Sequence, residues 1–185
     1  SLISIKLDLF CNDIQYRLDS SLETVVCLFA WAGTPRLSAD SNLNRVFIVQ
    51  NQNIVNNSIH LSIKICADQF IFLSSAGGIY SSKSSYPFLE ESPVFPETPY
   101  GIQKLHSEQL FFSSFQNKNI KLCNLRVSCA YGFNDIFPDQ GVLNKWIHDG
   151  LMYNNISIYN SLQSSLNLIG FEQVSAAMML AIDYN

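Results

Sequence analysis

The chain has 185 residues, 48% hydrophobic and only 14% charged, enough apolar side chain to fill a core and too little charge for a disordered segment. Its net charge of -4 gives no basic field for nucleic acid, no apolar run approaches the roughly 18 residues of a membrane span, and no signal-peptide pattern stands at the first residues. One domain, or one domain with a portion of another, fits these bounds.

The chain has no initiating Met and opens on Ser4-Ile5-Lys6-Leu7-Asp8-Leu9, an alternation that is already strand-like, so it reads as a piece of a longer polypeptide. After a polar stretch to Glu23, residues 24–31 (T-V-V-C-L-F-A-W) have the β-branched content of a buried strand, with a small residue near its end. Gly33-Thr34-Pro35 and residues 38–42 read as a loop, and 44–66 as a long helix carrying Asn51 and Asn57. Residues 69–73 are an apolar run of the kind a buried parallel strand shows, ending in Ser74, Ser75 and the glycines Gly77-Gly78. In open α/β sheets that carboxyl edge is where ligands bind.

A Ser-rich loop to Ser85 follows, and then Thr98 and Pro99 suit the cap and first turn of a helix over 99–115. Tyr100 and Lys104 fall one turn apart on it, so phenol and ammonium share a face. A free phenol, with a pKa of about 10, is a poor base near neutrality unless its anion is stabilised. A neighbouring ammonium and the positive end of a helix both do this. Residues 120–126 read as another strand, running into Val127-Ser128-Cys129-Ala130-Tyr131-Gly132. Residues 141–150 place Val142, Leu143, Trp146 and Ile147 on one helical stripe, residues 156–159 read as a short strand, and 166–182 as a helix with its entry.

The five cysteines, Cys11, Cys27, Cys66, Cys123 and Cys129, are odd in number and free of C-x-x-C spacing, which reads as a reduced, cytoplasmic protein. His60, His106 and His148 make no ligand cluster with them, so no metal site is expected.

The passages F-I-F-L-S-S-A-G-G-I-Y (70–80) and E-S-P-V-F-P-E-T-P-Y-G-I-Q-K-L-H-S-E-Q (91–109) resemble the extended short-chain dehydrogenase/reductase family, in its NAD-dependent epimerase/dehydratase branch acting on nucleotide-diphosphate sugars. The resemblance implies an α/β, Rossmann-like doubly wound parallel sheet with a portion of a small C-terminal substrate domain. The sheet would be incomplete, with a partial NAD(P)-binding domain over 1–135 and a partial substrate-binding region over 136–185. NAD or NADP would lie along Asp8 and Leu9 near the adenine, along Phe29, Ala30 and Trp31, and against Asn51, Leu73 and Lys104. The backbone of Val127 and Ser128 would meet the nicotinamide. Tyr100 would be the acid/base, Lys104 would lower its pKa, and Ser75 would polarise the reacting oxygen. Counting back from Tyr80 selects Ala76 instead of Ser75, and Ser74 is the second choice. Ser74, Ala76 and Cys129 would face the substrate. Asp8 reads equally as a turn residue and Trp31 as a core aromatic.

The chain departs from the family pattern at several points. Leu28 replaces a strand His, Ser81 a Gly, and Cys129 an Asn that contacts the nucleotide-sugar in relatives. Leu166 stands for an Arg that clamps the diphosphate, and Asn160-Ser161-Leu162 for Gly-Asp-Gly. No glycine-rich G-x-x-G-x-x-G turn occurs, and in the strand order 3-2-1-4-5-6 two absent strands would separate those at Ser4 and Thr24. About 50 further residues are therefore expected before Ser1, with a tail after Asn185.

The implied activity is oxidation and reduction of a nucleotide-sugar carbon, in sugar-nucleotide or surface polysaccharide metabolism. C4 epimerisation comes first and 4-keto-sugar reduction second. Dehydration is disfavoured because Ala76-Gly77 stand where 4,6-dehydratases carry Asp-Glu. A non-catalytic binding or regulatory relative is the alternative from another class. A homodimer through the helices 44–66 and 99–115 is also implied, with no nucleic acid or membrane partner.

Overall fold

The computed structural model describes residues 22–80, 87–132, 141–158 and 165–183. Its centre is β2 (Gln69–Ser75), whose Phe70, Ile71 and Phe72 are fully buried, as an unbroken apolar run requires of a strand covered on both faces. β2 pairs in parallel with β1 (Val25–Leu28) on one side and with β3 (Lys121–Val127) on the other. Parallel neighbours need crossovers. α1 (Ser41–Lys64) joins β1 to β2, while α2 (Ala76–Ile79) and α3 (Pro99–Phe115) lie between β2 and β3.

Alternate residues of the strands serve opposite layers. Leu28, Phe70 and Phe72 pack with Val55 of α1 and with Phe111 and Phe115 of α3. The rings of Phe70 and Phe72 stand 4.6 and 5.0 Å from that of Phe111, centroid to centroid. Burial of each such ring contributes about 1.5–3 kcal/mol. Ile71 faces the other way, toward Met178 and Ala181 of α5 (Phe171–Asp183), with Cys27, Leu73, Cys123 and Leu125 around it. Helices on both faces of a parallel sheet make this a doubly wound, Rossmann-like α/β fold.

The helix ends have local causes. Asp40 accepts from the backbone N–H of Asn42 and Leu43, which starts α1 at Ser41, earlier than the expected residue 44. α1 stops where Cys66 takes a left-handed φ of 52° and Ala67 N–H closes back on the Ser62 carbonyl. Thr98 caps α3 by accepting from Gly101 N–H, with Pro99 at its first position, as the sequence predicts.

β3 leads into β4 (Cys129–Tyr131), which pairs in parallel with β5 (Leu168–Gly170) just before α5. α4 (Val142–Leu151) lies between them in sequence, at the expected place. Two expectations need correction. The first strand ends at Leu28, short of Trp31, because residues 29–31 leave the sheet at its carboxyl edge. Residues 156–158 form no strand among the described residues, and the Ser157 carbonyl instead accepts from Trp146 Nε1 at 3.0 Å.

Candidate active site

β1, β2 and β3 all end at the same edge of the sheet. There the register sets Ser75 beside Val127 and Leu28 beside Phe72, so Phe29 and Ala30, Ser75 and Ala76, and Val127 and Ser128 emerge together. Ser75 is both the last residue of β2 and the cap of α2, its hydroxyl accepting from Gly78 N–H at 3.2 Å. The Tyr100 phenol stands near the same hydroxyl, which lowers its pKa against the larger effect of burial.

What brings them together is a contact between two glycines. A Cβ on Gly101 would stand 1.8 Å from the Gly78 carbonyl oxygen, and one on Gly78 would stand 3.2 Å from the Tyr100 ring. Only glycine at 101 lets the start of α3 lie against α2 at this distance, whereas a methyl at 78 would press the Tyr100 ring by a few tenths of an ångström. Gly78, the second glycine after β2, is half of that crossing.

Lys104 projects from the next turn of α3 into the gap between β1 and β2. Its ammonium donates to the Leu73 carbonyl at 2.8 Å and sits 4.0 Å from the centroid of the Trp31 indole and 4.6 Å from that of Phe72. Burial pushes its pKa down to about 7, against the carboxylate of Glu108, which pulls it up. Burial likewise raises the Tyr100 phenol, and the Ser75 hydroxyl lowers it. In this conformation the ammonium therefore serves Leu73 and Trp31, and the lowering of the phenol expected from the one-turn spacing comes from Ser75 instead. Its distance of 5.8 Å from the Tyr100 ring leaves the two within one cluster.

Trp31 is both things the sequence offered. Its ring packs on Phe72 and edge-on against Tyr100 at 6.4 Å and 82°, a core aromatic by contact. Its Nε1–H is nevertheless buried without an acceptor among the described residues, beside the phenol and ammonium. Asn51 behaves differently from expectation. Its amide is buried, exchanging two hydrogen bonds with the Ala32 backbone and donating to Gln103 Oε1. It fixes the segment after β1 from behind and has no donor left for a cofactor.

Ser74 also needs correction. The alternation of β2 turns its hydroxyl away from the edge, where it donates to Glu108 Oε1 at 2.5 Å and is only 5% exposed, so it is not available to a substrate. Leu73 contributes its carbonyl to Lys104. Cys129 lies in β4, where its N–H donates to the Asn167 carbonyl. Leu166, at the position of the missing Arg, is exposed. Asp8, Leu9 and Asn160 to Leu162 lie outside the described residues.

Two charged groups escaped the sequence reading. Glu108 accepts from Arg126 Nε and Nη2, the latter at 2.7 Å, and Arg126 Nη1 donates to the Tyr80 hydroxyl at 2.8 Å. The signal for Glu108 was its place on the stripe Gly101, Lys104, Glu108, Phe111 and Phe115, the buried face of α3. Elsewhere, a cavity of about 530 Å³ opens between β3 and α5, lined by Gln69, Leu122, Cys123, Leu125, Leu180 and Ala181. It reaches toward the amino ends of the strands, away from Tyr100, and plays no role in this cluster.

Ser75, Tyr100 and Lys104 together place two neighbouring hydroxyls and a buried cation at one edge of the sheet. That arrangement can move a proton to or from an oxygen placed against it. The donor left open on Trp31 suits a polar ligand lying across Lys104, as a nicotinamide-bearing cofactor would.

Comparison with known proteins identifies the family and the fold. The model of the NAD dependent epimerase/dehydratase family matches residues 7–185. A dTDP-4-dehydro-6-deoxyglucose reductase of Escherichia coli is 30% identical over 118 residues, 63% of this chain and 37% of its own length. Among solved structures, a UDP-glucose 4-epimerase of Thermotoga maritima, determined with UDP-glucose, superposes with a TM-score of 0.77 at 23% identity. That match covers 85% of this chain and 51% of the other. A UDP-glucuronic acid 4-epimerase of Bacillus cereus, in complex with UDP-glucuronic acid and NAD, gives a TM-score of 0.77 at 22% identity, covering 87% and 50%. The chain thus spans between a third and a half of the length of these relatives.

Proposed function

The chain belongs to the NAD dependent epimerase/dehydratase family, and from that premise we propose that its polypeptide inverts C4 of a nucleotide-diphosphate sugar. The observation that carries this reading is the meeting of Ser75 and Tyr100 at the carboxyl edge of three parallel strands, where α3 crosses α2, with Lys104 one turn away.

A nicotinamide cofactor held at this edge would supply the hydride chemistry at the sugar carbon. Trp31, Lys104, Val127 and Ser128 would hold its reacting end, and Phe29 and Ala30 would line its path along the edge. Ser75 donates to the sugar oxygen, and the Tyr100 oxygen takes the proton from that hydroxyl and later gives it back. Placing the ligand over Trp31 would free the Lys104 ammonium for its ribose and for Tyr100, restoring the attraction that lowers the phenol. Ala76 and Cys129 would face the sugar. With Ala76-Gly77 in place of a carboxylate pair, nothing at that point drives loss of water.

A second reading, reduction of a 4-keto-sugar, is favoured by the likeness to the E. coli reductase. Apolar Leu43, Val46 and Val49 on α1 and Ile102 and Phe112 on α3 are exposed, which supports a homodimer through those helices. Turnover separates the alternatives. The full polypeptide is incubated with NAD or NADP and a panel of UDP- and dTDP-sugars. Interconversion of C4 epimers without net change in reduced cofactor supports epimerisation. Consumption of reduced cofactor on a 4-keto-sugar means reductase. No turnover and no cofactor bound at about millimolar concentration, far above the usual affinity range, means a binding module.

A further inference from the structure

Glu108 is buried one turn beyond Lys104 on the same face of α3, and every contact it makes joins α3 to the two strand ends that carry the site. Ser74 Oγ, from the residue before Ser75, donates to its Oε1. Arg126, from the residue before Val127, brackets both oxygens through Nε and Nη2. The guanidinium is held in turn by the Tyr80 hydroxyl, and the Tyr80 ring stacks on Phe88 at 4.9 Å.

We propose that Glu108 is a positioning residue for the Tyr100–Lys104 pair, clamping α3 to the ends of β2 and β3 and keeping a fixed negative charge one turn below the ammonium. The proposal rests on the reading of Tyr100 and Lys104 as the proton-transfer pair. Its physical content is a count of buried charge. Two cations, Lys104 and Arg126, share one carboxylate, and Ser74 and Arg126 fix where that carboxylate stands. The other groups around Lys104 are uncharged: Trp31 from the β1 end, Phe72 and the Leu73 carbonyl from β2, and Tyr100 from its own helix. α1 presents only Asn44 and Asn51, both bonded to Gln103. Among the described residues Glu108 is thus the carboxylate that opposes the burial of Lys104.

The test reads Lys104 directly, without substrate or cofactor. The full polypeptide is labelled with lysine carrying 13C at Cε, the Lys104 resonance is assigned through Lys104→Arg, and its titration is followed by NMR. Glu108→Gln should lower the Lys104 midpoint by about one pH unit, a tenfold shift in its charged fraction. A merely structural role predicts the opposite, since loosened packing hydrates the ammonium and raises its midpoint, so an unchanged or raised value overturns the proposal. Should Glu108→Gln not fold by circular dichroism, the double variant Glu108→Met with Arg126→Met decides, since apolar replacement of both partners of an ion pair is tolerated where removal of one is not. The Lys104 midpoint should again fall, and an unchanged or raised value overturns the proposal. Because no turnover enters this measurement, its failure is distinct from a failure to find epimerase activity.

Discussion

Two of the helices that pack on the main sheet, one on each face, treat it differently. α3 lays a continuous buried stripe across β2 and β3, aromatic at one end with Phe111 and Phe115 and polar at the other with Lys104 and Glu108. α5 touches the opposite face with Met178, Ala181 and Ile182, leaves Met179 and Leu180 exposed, and borders an open cavity. Where chemistry is placed, the fold fixes the backbone with aromatic packing, a glycine crossing and charged hydrogen bonds at once. On the α5 face simple apolar contact suffices.

That contrast can be broken by core truncation. Phe111→Ala, at a fully buried ring set among Phe70, Phe72 and Phe115, should cost about 3–5 kcal/mol, while Met178→Ala beside the open groove should cost nearer to about 2. Urea unfolding measures both, and equal losses would mean the two faces are packed alike. Gly101→Ala comes next. Its methyl cannot coexist with the Gly78 carbonyl, so α3 must shift, at about 1–3 kcal/mol, carrying Tyr100 away from Ser75. Unchanged stability there would mean that the glycine crossing does not hold α3 in place.

Thr98→Ala, which deletes one capping bond to Gly101 N–H, should cost about 1 kcal/mol in the same experiment. A further effect is a dependence on pH. Lys104 titrates near 7 when folded, below its ordinary value of 10.5. Between those values the unfolded chain binds a proton that the folded chain lacks, so stability rises with pH through this group. The advantage of Lys104→Met over the native chain should therefore be greatest near pH 6 and shrink toward about pH 9. A constant difference would mean the ammonium is not desolvated. Above pH 10 the raised Tyr100 phenol works in the opposite sense, keeping a proton that the unfolded chain loses.

What the sequence revealed follows from what is local. The apolar run of β2, the Thr98-Pro99 entry to α3 and the one-turn spacing of Tyr100 and Lys104 depend on neighbours in the chain, and each is where periodicity and capping place it. The family likeness added Ser75, a choice that local counting left between three residues. What stayed hidden needs a second element. That Ser74 turns inward to Glu108 depends on which face α3 covers, that Gly78 and Gly101 touch depends on how α2 meets α3, and that Trp31 shelters Lys104 depends on β1 lying beside β2. Asn51 shows the same limit: the residue was singled out for a cofactor, but its partners, Ala32 and Gln103, lie 19 and 52 positions away.

The most direct test of the central claim is the turnover of C4-epimeric nucleotide-sugars by the full polypeptide and its Tyr100→Phe variant, with cofactor binding measured in parallel. Removing one oxygen from a general acid/base should lower the rate by about 10²–10⁴ while leaving the fold and the cofactor affinity in place. A variant that turns over as fast as the native chain would contradict the assignment of the proton transfer to Tyr100.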